Sequence, residues 1–133
     1  MPGFLISNSE YTVGLENYDK TSCVSDYIKS NEFTIERLTL NKFMLDKCMK
    51  EDDDYIVVAE GVILNKLRLF KKFSTDNVFG LIKEMYQSVG EKFFDEFRGS
   101  FSGALFIKKE SGLYTQITMM IILYIITMIQ VKF

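Results

Sequence analysis

The sequence contains no histidine. That removes the commonest general base and the commonest metal ligand at neutral pH. Cysteine is nearly as scarce: Cys23 and Cys48 are the only two, far apart and in no C-x-x-C pattern. Two thiols are too few for a disulfide framework. The opening Met1-Pro2-Gly3-Phe4-Leu5-Ile6 lacks the basic region and long apolar stretch of a secretory signal, so reduced thiols and a cytoplasmic location are expected. Basic charge is not in excess. The net charge is −2, with Lys and Arg scattered among acids, so no nucleic-acid partner is expected. A phosphate-cradling loop is also missing, because Gly99-Ser100-Phe101-Ser102-Gly103 is too short and has no lysine at the needed offset. The acidic run Glu51-Asp52-Asp53-Asp54 lacks the later glycine and bidentate glutamate of a calcium loop, and reads as a solvated hairpin end. No metal or other cofactor is expected.

What the chain does have is the composition of a globular domain: 47% hydrophobic and 26% charged residues over 133 positions, enough for one core. Residues 3–7 read as a short buried strand. Residues 8–31 are polar and aperiodic, a loop with at most one strand near 11–15. Residues 32–40 alternate, with Phe33, Ile35, Arg37 and Thr39 on the more apolar face of a strand. The β-branched run Tyr55-Ile56-Val57-Val58-Ala59 predicts a central strand. A short helix is predicted over 65–72. A longer one follows, capped by Ser74 or Thr75, with Asp76 near its positive end. Val78, Leu81, Ile82, Met85 and Val89 fall at the spacing of one buried helical face, and Gly90 ends it. A short helix over 91–97 supplies Phe93, Phe94 and Phe97 to the core. A strand over 101–107 and a returning strand at Leu113 complete an α+β fold.

The order of these segments carries a resemblance. Met1-Pro2-Gly3-Phe4-Leu5 resembles the Met-Cys-Gly-Phe/Ile opening of class II glutamine amidotransferases, the N-terminal-nucleophile hydrolase domains of the asparagine synthase family. Glu60-Gly61-Val62-Ile63-Leu64-Asn65 is similar to that family's Asn-Gly-Glu-Ile-Tyr-Asn segment. Ile82-Lys83-Glu84-Met85-Tyr86, Gly90-Glu91-Lys92-Phe93-Phe94 and Phe97-Arg98-Gly99-Ser100-Phe101-Ser102-Gly103-Ala104-Leu105 resemble the stretch that follows in the family. The resemblance implies an Ntn-hydrolase-like αββα sandwich, incomplete at the C-terminus: residues 1–115 as an amidotransferase-like domain and 116–133 as an apolar tail.

The departures from the pattern carry the functional expectation. The family attacks the glutamine amide with the thiol of its first mature residue, whose α-amine acts as base. Pro2 stands there instead and offers no nucleophile. Cys23 and Cys48 cannot stand in, since neither can carry a free α-amine. Glu60 stands where the family has its oxyanion-hole asparagine; a carboxylate cannot donate a hydrogen bond and repels the developing charge. Gly61, which offers a backbone N–H beside the substrate, is retained. Arg37 corresponds loosely to the arginine that holds the glutamine carboxylate, with a surface or strand-end arginine as the other reading. The vestigial substrate-binding set is therefore Arg37, Glu60 and Gly61, with no catalytic residue, and glutaminase activity is expected to be absent.

Residues 113–131 carry no charge. Three readings stay open: a C-terminal membrane anchor, a buried strand pair favoured by β-branching, or a frameshift. Read from the third base of the Gln116 codon, the tail permits Thr-Asn-His-x-Asp-Asp-x-Pro-Ile-Tyr-Tyr-Tyr, similar to the family's continuation. Such a frameshift implies loss of the rest of the sandwich and of the ATP-dependent synthetase domain. Sequencing the gene for an offset reading frame continuing into a synthetase tests it. The leading expectation is a degenerate amidotransferase-like domain that docks a synthetase-type domain or assembles as a homo-oligomer. The alternatives are a glutamine-hydrolysing asparagine synthase fragment and a small binding protein held to a membrane by its tail.

Overall fold

The structure, a computed structural model, describes residues 3–8, 23–30, 33–108, 114–123 and 125–131, the last two stretches as backbone. The fold is mixed α+β and divides into two compact units, Met1–Lys42 and Phe43–Phe133.

The first unit holds an antiparallel three-stranded sheet in the order β1-β3-β2, built from β1 (Gly3–Asn8), β2 (Cys23–Lys29) and β3 (Phe33–Leu40). Ile6, Ile35 and Ile28 sit in register across it. β2 corrects the expectation of loop over this stretch. Its polar Ser25, Asp26 and Lys29 hide the period, and Asp26 is tolerated in a strand because it lies directly opposite Arg37. The strand considered near residues 11–15 lies outside the described residues. Phe33, Thr34, Ile35, Glu36, Arg37 and Thr39 are all buried, so the expected contrast between the two faces of β3 is absent.

The second unit holds an antiparallel five-stranded sheet in the order β4-β5-β6-β7-β8: β4 (Cys48–Glu51), β5 (Tyr55–Ile63), β6 (Gly99–Lys108), β7 (Tyr114–Leu123) and β8 (Ile125–Val131). Between β5 and β6 come α1 (Lys66–Phe73), α2 (Val78–Val89) and a 3-10 segment, Gly90–Glu96. These cover one face of the sheet. Val57, Ala59 and Ile63 of β5 and Phe101 and Leu105 of β6 join Leu69, Leu81, Met85 and Phe93 in one cluster. Edge-to-face rings run through it, Tyr86 to Phe93 at 6.3 Å, Phe93 to Phe97 at 6.1 Å and Phe97 to Phe101 at 5.1 Å. The alternate residues Ile56, Val58, Ala104 and Phe106 point to the opposite face and are buried too.

Two details of α2 differ from expectation. Ser74 takes a left-handed backbone and ends α1 by donating its N–H to the Phe70 carbonyl, as Thr75 does, so neither caps α2. Asn77 does so instead, its Oδ1 accepting the Gly80 N–H at 2.7 Å. Val89 is 52% exposed, because the chain turns at Gly90 before the helical stripe reaches it. The apolar run is extended: β7 pairs β6 from Ser102↔Ile121 to Lys108↔Tyr114, and β8 pairs β7. Among the described residues no helix is long and apolar enough to cross a membrane.

The acidic hairpin end joining β4 to β5 is solvated as expected, with Glu51, Asp53 and Asp54 exposed and only Asp52 partly buried. Asp52 Oδ1 accepts the backbone N–H groups of Asp54 and Tyr55, and Lys83 of α2 donates to its other oxygen. Burial, the largest single influence, pushes the Asp52 carboxyl up, but Lys83 and the two backbone donors together outweigh it and hold the pKa below the ordinary 3.8. The pair's contribution is therefore fully present above pH 3.8 and lost as pH falls below it. Lys83 is raised above 10.5, first by the hydrogen bond to Asp52, so the same contribution fades again only as pH climbs beyond that value. Asp52→Asn is expected to lower stability at pH 7 by about 1 kcal/mol, the scale of a half-exposed ion pair. It should also flatten the acid limb of a urea-denaturation series taken below pH 4.

Candidate functional site

β5 carries Glu60 and Gly61, two of the three candidate residues named from the sequence. Its odd-numbered residues face the helices, so Glu60 points to the other side, in register with Ser102 of β6. On its other flank the β4–β5 register, one step beyond Cys48↔Ala59, brings Lys47 opposite Glu60. The Lys47 Nζ lies 4.0 Å from Glu60 Oε2, and each side chain is only 8% exposed. The preceding residue, Asp46, closes the 3-10 turn Met44–Asp46, and its buried carboxylate lies 2.6 Å from Lys66 Nζ at the start of α1. The consecutive residues Asp46 and Lys47 thus each face an opposite charge, Lys66 at the start of α1 and Glu60 of β5. Removing charges from water in this way costs several kcal/mol per ion unless each is compensated, which is why they occur as pairs.

Gly61 follows with φ +114°. A Cβ on it would stand 2.2 Å from the Ser100 carbonyl oxygen of β6, and one on Gly99 would stand 2.1 Å from the Val62 oxygen. The two backbones approach this closely because neither glycine has a side chain. Beyond them Asn65 ties the end of β5 to the start of β6. Its Nδ2 donates to the Glu96 carbonyl at 2.8 Å and its Oδ1 accepts the Arg98 N–H at 2.9 Å, while the Leu64 N–H reaches the Arg98 oxygen at 2.7 Å. The Glu60–Asn65 segment is therefore held rigidly at both flanks.

Arg37 belongs to the first unit. It is buried in the middle of β3, which corrects the reading of a surface or strand-end arginine, and it donates through Nη2 to Asp26 directly opposite on β2. Glu60 and Gly61 are neighbours in the second unit, and Arg37 is engaged within its own sheet. Pro2 lies outside the described residues. Cys23 is half-buried and Cys48 buried, and both are free thiols. Among the described residues no group of three or more Cys, Asp or Glu is placed to hold a metal.

Lys47, Asp46 and Lys66 were not legible as site residues. The one available signal was the acid–base doublet Asp46-Lys47 ahead of buried Cys48, which acquires meaning only once the four-residue β4 fixes the register. As chemistry, the site offers a buried carboxylate that only accepts hydrogen bonds, an ammonium beside it, and the backbone of a left-handed glycine. No protein-family model matches the chain, and no curated protein does.

Proposed function

We propose that the chain is a degenerate relative of the class II glutamine-amidotransferase domain, without glutaminase activity, whose remaining role is to dock a partner such as a synthetase-type domain. The observation that carries this reading is Glu60: an 8%-exposed carboxylate with the Lys47 ammonium 4.0 Å away, at the place where the resemblance requires an uncharged amide donor. An oxyanion developing there would meet a fixed negative charge. Losing one donor already costs a hundred- to a thousandfold in rate, by about that order. Pro2, at the place of the attacking thiol, removes the nucleophile independently. Gly61, whose φ of +114° favours glycine, is the part of the motif that is retained.

An Ntn-hydrolase-like αββα arrangement is the architecture that goes with this proposal. Its support is coarse: two antiparallel sheets, with helices covering one face of the five-stranded one.

The test is a coupled assay for glutamate and ammonia release from glutamine. No turnover above buffer is expected from the unaltered chain or from Glu60→Asn, because the amide alone restores a donor and no nucleophile. Turnover that disappears on substituting a residue of this chain would overturn the proposal.

A further inference from the structure

Near the Asp46–Lys66 ion pair the second unit exposes four large apolar side chains. Phe43 is 64%, Leu45 75%, Leu64 77% and Leu67 75% exposed. Leu45 adjoins Asp46 and Leu67 adjoins Lys66, so the 2.6 Å ion pair holds the 3-10 turn and the start of α1 together as one corner. Phe43 keeps a left-handed backbone at φ 53°, which is strained for an aromatic residue and turns its ring outward. α1 itself contains four basic residues and no acid. Lys66 and Lys72 are paired, to Asp46 and Glu96, while exposed Arg68 and Lys71 have no acidic partner among the described residues. Single exposed leucines are ordinary; four large apolar side chains beside two uncompensated cations are an unmatched surface.

We propose that this corner docks an acidic amphipathic segment of a partner protein. Leucine-type side chains of the partner cover Leu45, Leu64 and Leu67, and its carboxylates meet Arg68 and Lys71. Charge decides the occupant. A second copy would bring another pair of uncompensated cations to the same interface and no exposed acid of this corner to meet them, which opposes association. An extended anionic membrane would attract two cations but repel a chain of net charge −2, whereas a short acidic segment engages the two cations locally. The proposal does not depend on the amidotransferase reading.

The probe is a labelled synthetic amphipathic helix with leucines along one stripe and glutamates on both flanks, titrated with the full chain by fluorescence anisotropy. Saturable binding is expected, weakened about tenfold or more by Leu67→Ser and by the double charge reversal Arg68→Glu/Lys71→Glu. A lysine-flanked version of the peptide should bind the charge-reversed chain and not the unaltered one. Leu67 is mostly exposed, so its variant should keep the thermal midpoint; Leu64→Ser is the second variant should it not. The proposal is overturned by no binding of the glutamate peptide, equal binding of the lysine peptide, indifference to all the variants, or co-sedimentation with phosphatidylserine vesicles in place of peptide binding. Dimerisation lost in Leu67→Ser would assign the corner to a second copy and overturn it equally.

Discussion

Gly61→Ala is expected to lose about 3 kcal/mol or more of folding stability, enough to leave a substantial unfolded fraction in a domain of ordinary stability. Two effects act together. At φ +114° a β-carbon strains the backbone of residue 61 itself. The added carbon would also sit 2.2 Å from the Ser100 oxygen and 2.7 Å from the Phe101 Cα, both backbone atoms of β6 that cannot swing away. The strands would have to separate, breaking the ladder next to the Asn65 tie. Gly90→Ala separates the two effects: its φ is +76° but open space surrounds the site, so only the conformational cost of about 2 kcal/mol applies. Gly3→Ala meets nothing within 4 Å and should change stability by no more than about 0.5 kcal/mol. Urea midpoints for the three variants test this order. A Gly61→Ala chain as stable as Gly3→Ala would mean that β5 and β6 do not approach as described.

The elements that were legible in sequence owe their form to neighbours in the chain. α2 is set by the three-to-four spacing of Val78, Leu81, Ile82 and Met85, all buried, and β5 by β-branched Ile56, Val57 and Val58. Gly90 marks a helix end because only the local backbone is involved. β2 was hidden because what places Asp26 in a strand is Arg37, eleven residues on, a partner that local periodicity cannot register. The cap of α2 failed for a related reason. Ser74 and Thr75 are good capping residues, but the preceding helix uses their backbone to terminate itself, and Asn77 takes the role.

The candidate site divides in the same way. Gly61 could be singled out because a glycine inside a strand pattern signals close backbone approach, and Ser100 and Phe101 are what approach it. Glu60 could be recognised as a carboxylate where an amide would be needed, but nothing local indicated that it is buried or that a lysine faces it. The hairpin register supplies that lysine across thirteen positions. β4, at four residues, is too short for alternation to betray it.

Lys47→Met alone is expected to cost about 3 kcal/mol, because it removes the cation nearest the Glu60 carboxylate in a site where both side chains are 8% exposed. Glu60→Leu alone should cost a similar amount by removing the carboxylate nearest the Lys47 ammonium. The double variant Lys47→Met/Glu60→Leu should recover most of either loss, since two apolar side chains of comparable volume replace two desolvated charges. The coupling in the cycle should therefore exceed about 1 kcal/mol, as for residues that share one interaction. Strict additivity in urea denaturation would mean that the 4.0 Å pair is incidental and that each charge is satisfied elsewhere. The outcome also bears on function. A strongly coupled pair makes Glu60 part of the scaffold, so that its charge serves the fold. Conversion to Asn would then be expected to cost stability, by uncovering Lys47, before it gained any capacity to stabilise an oxyanion.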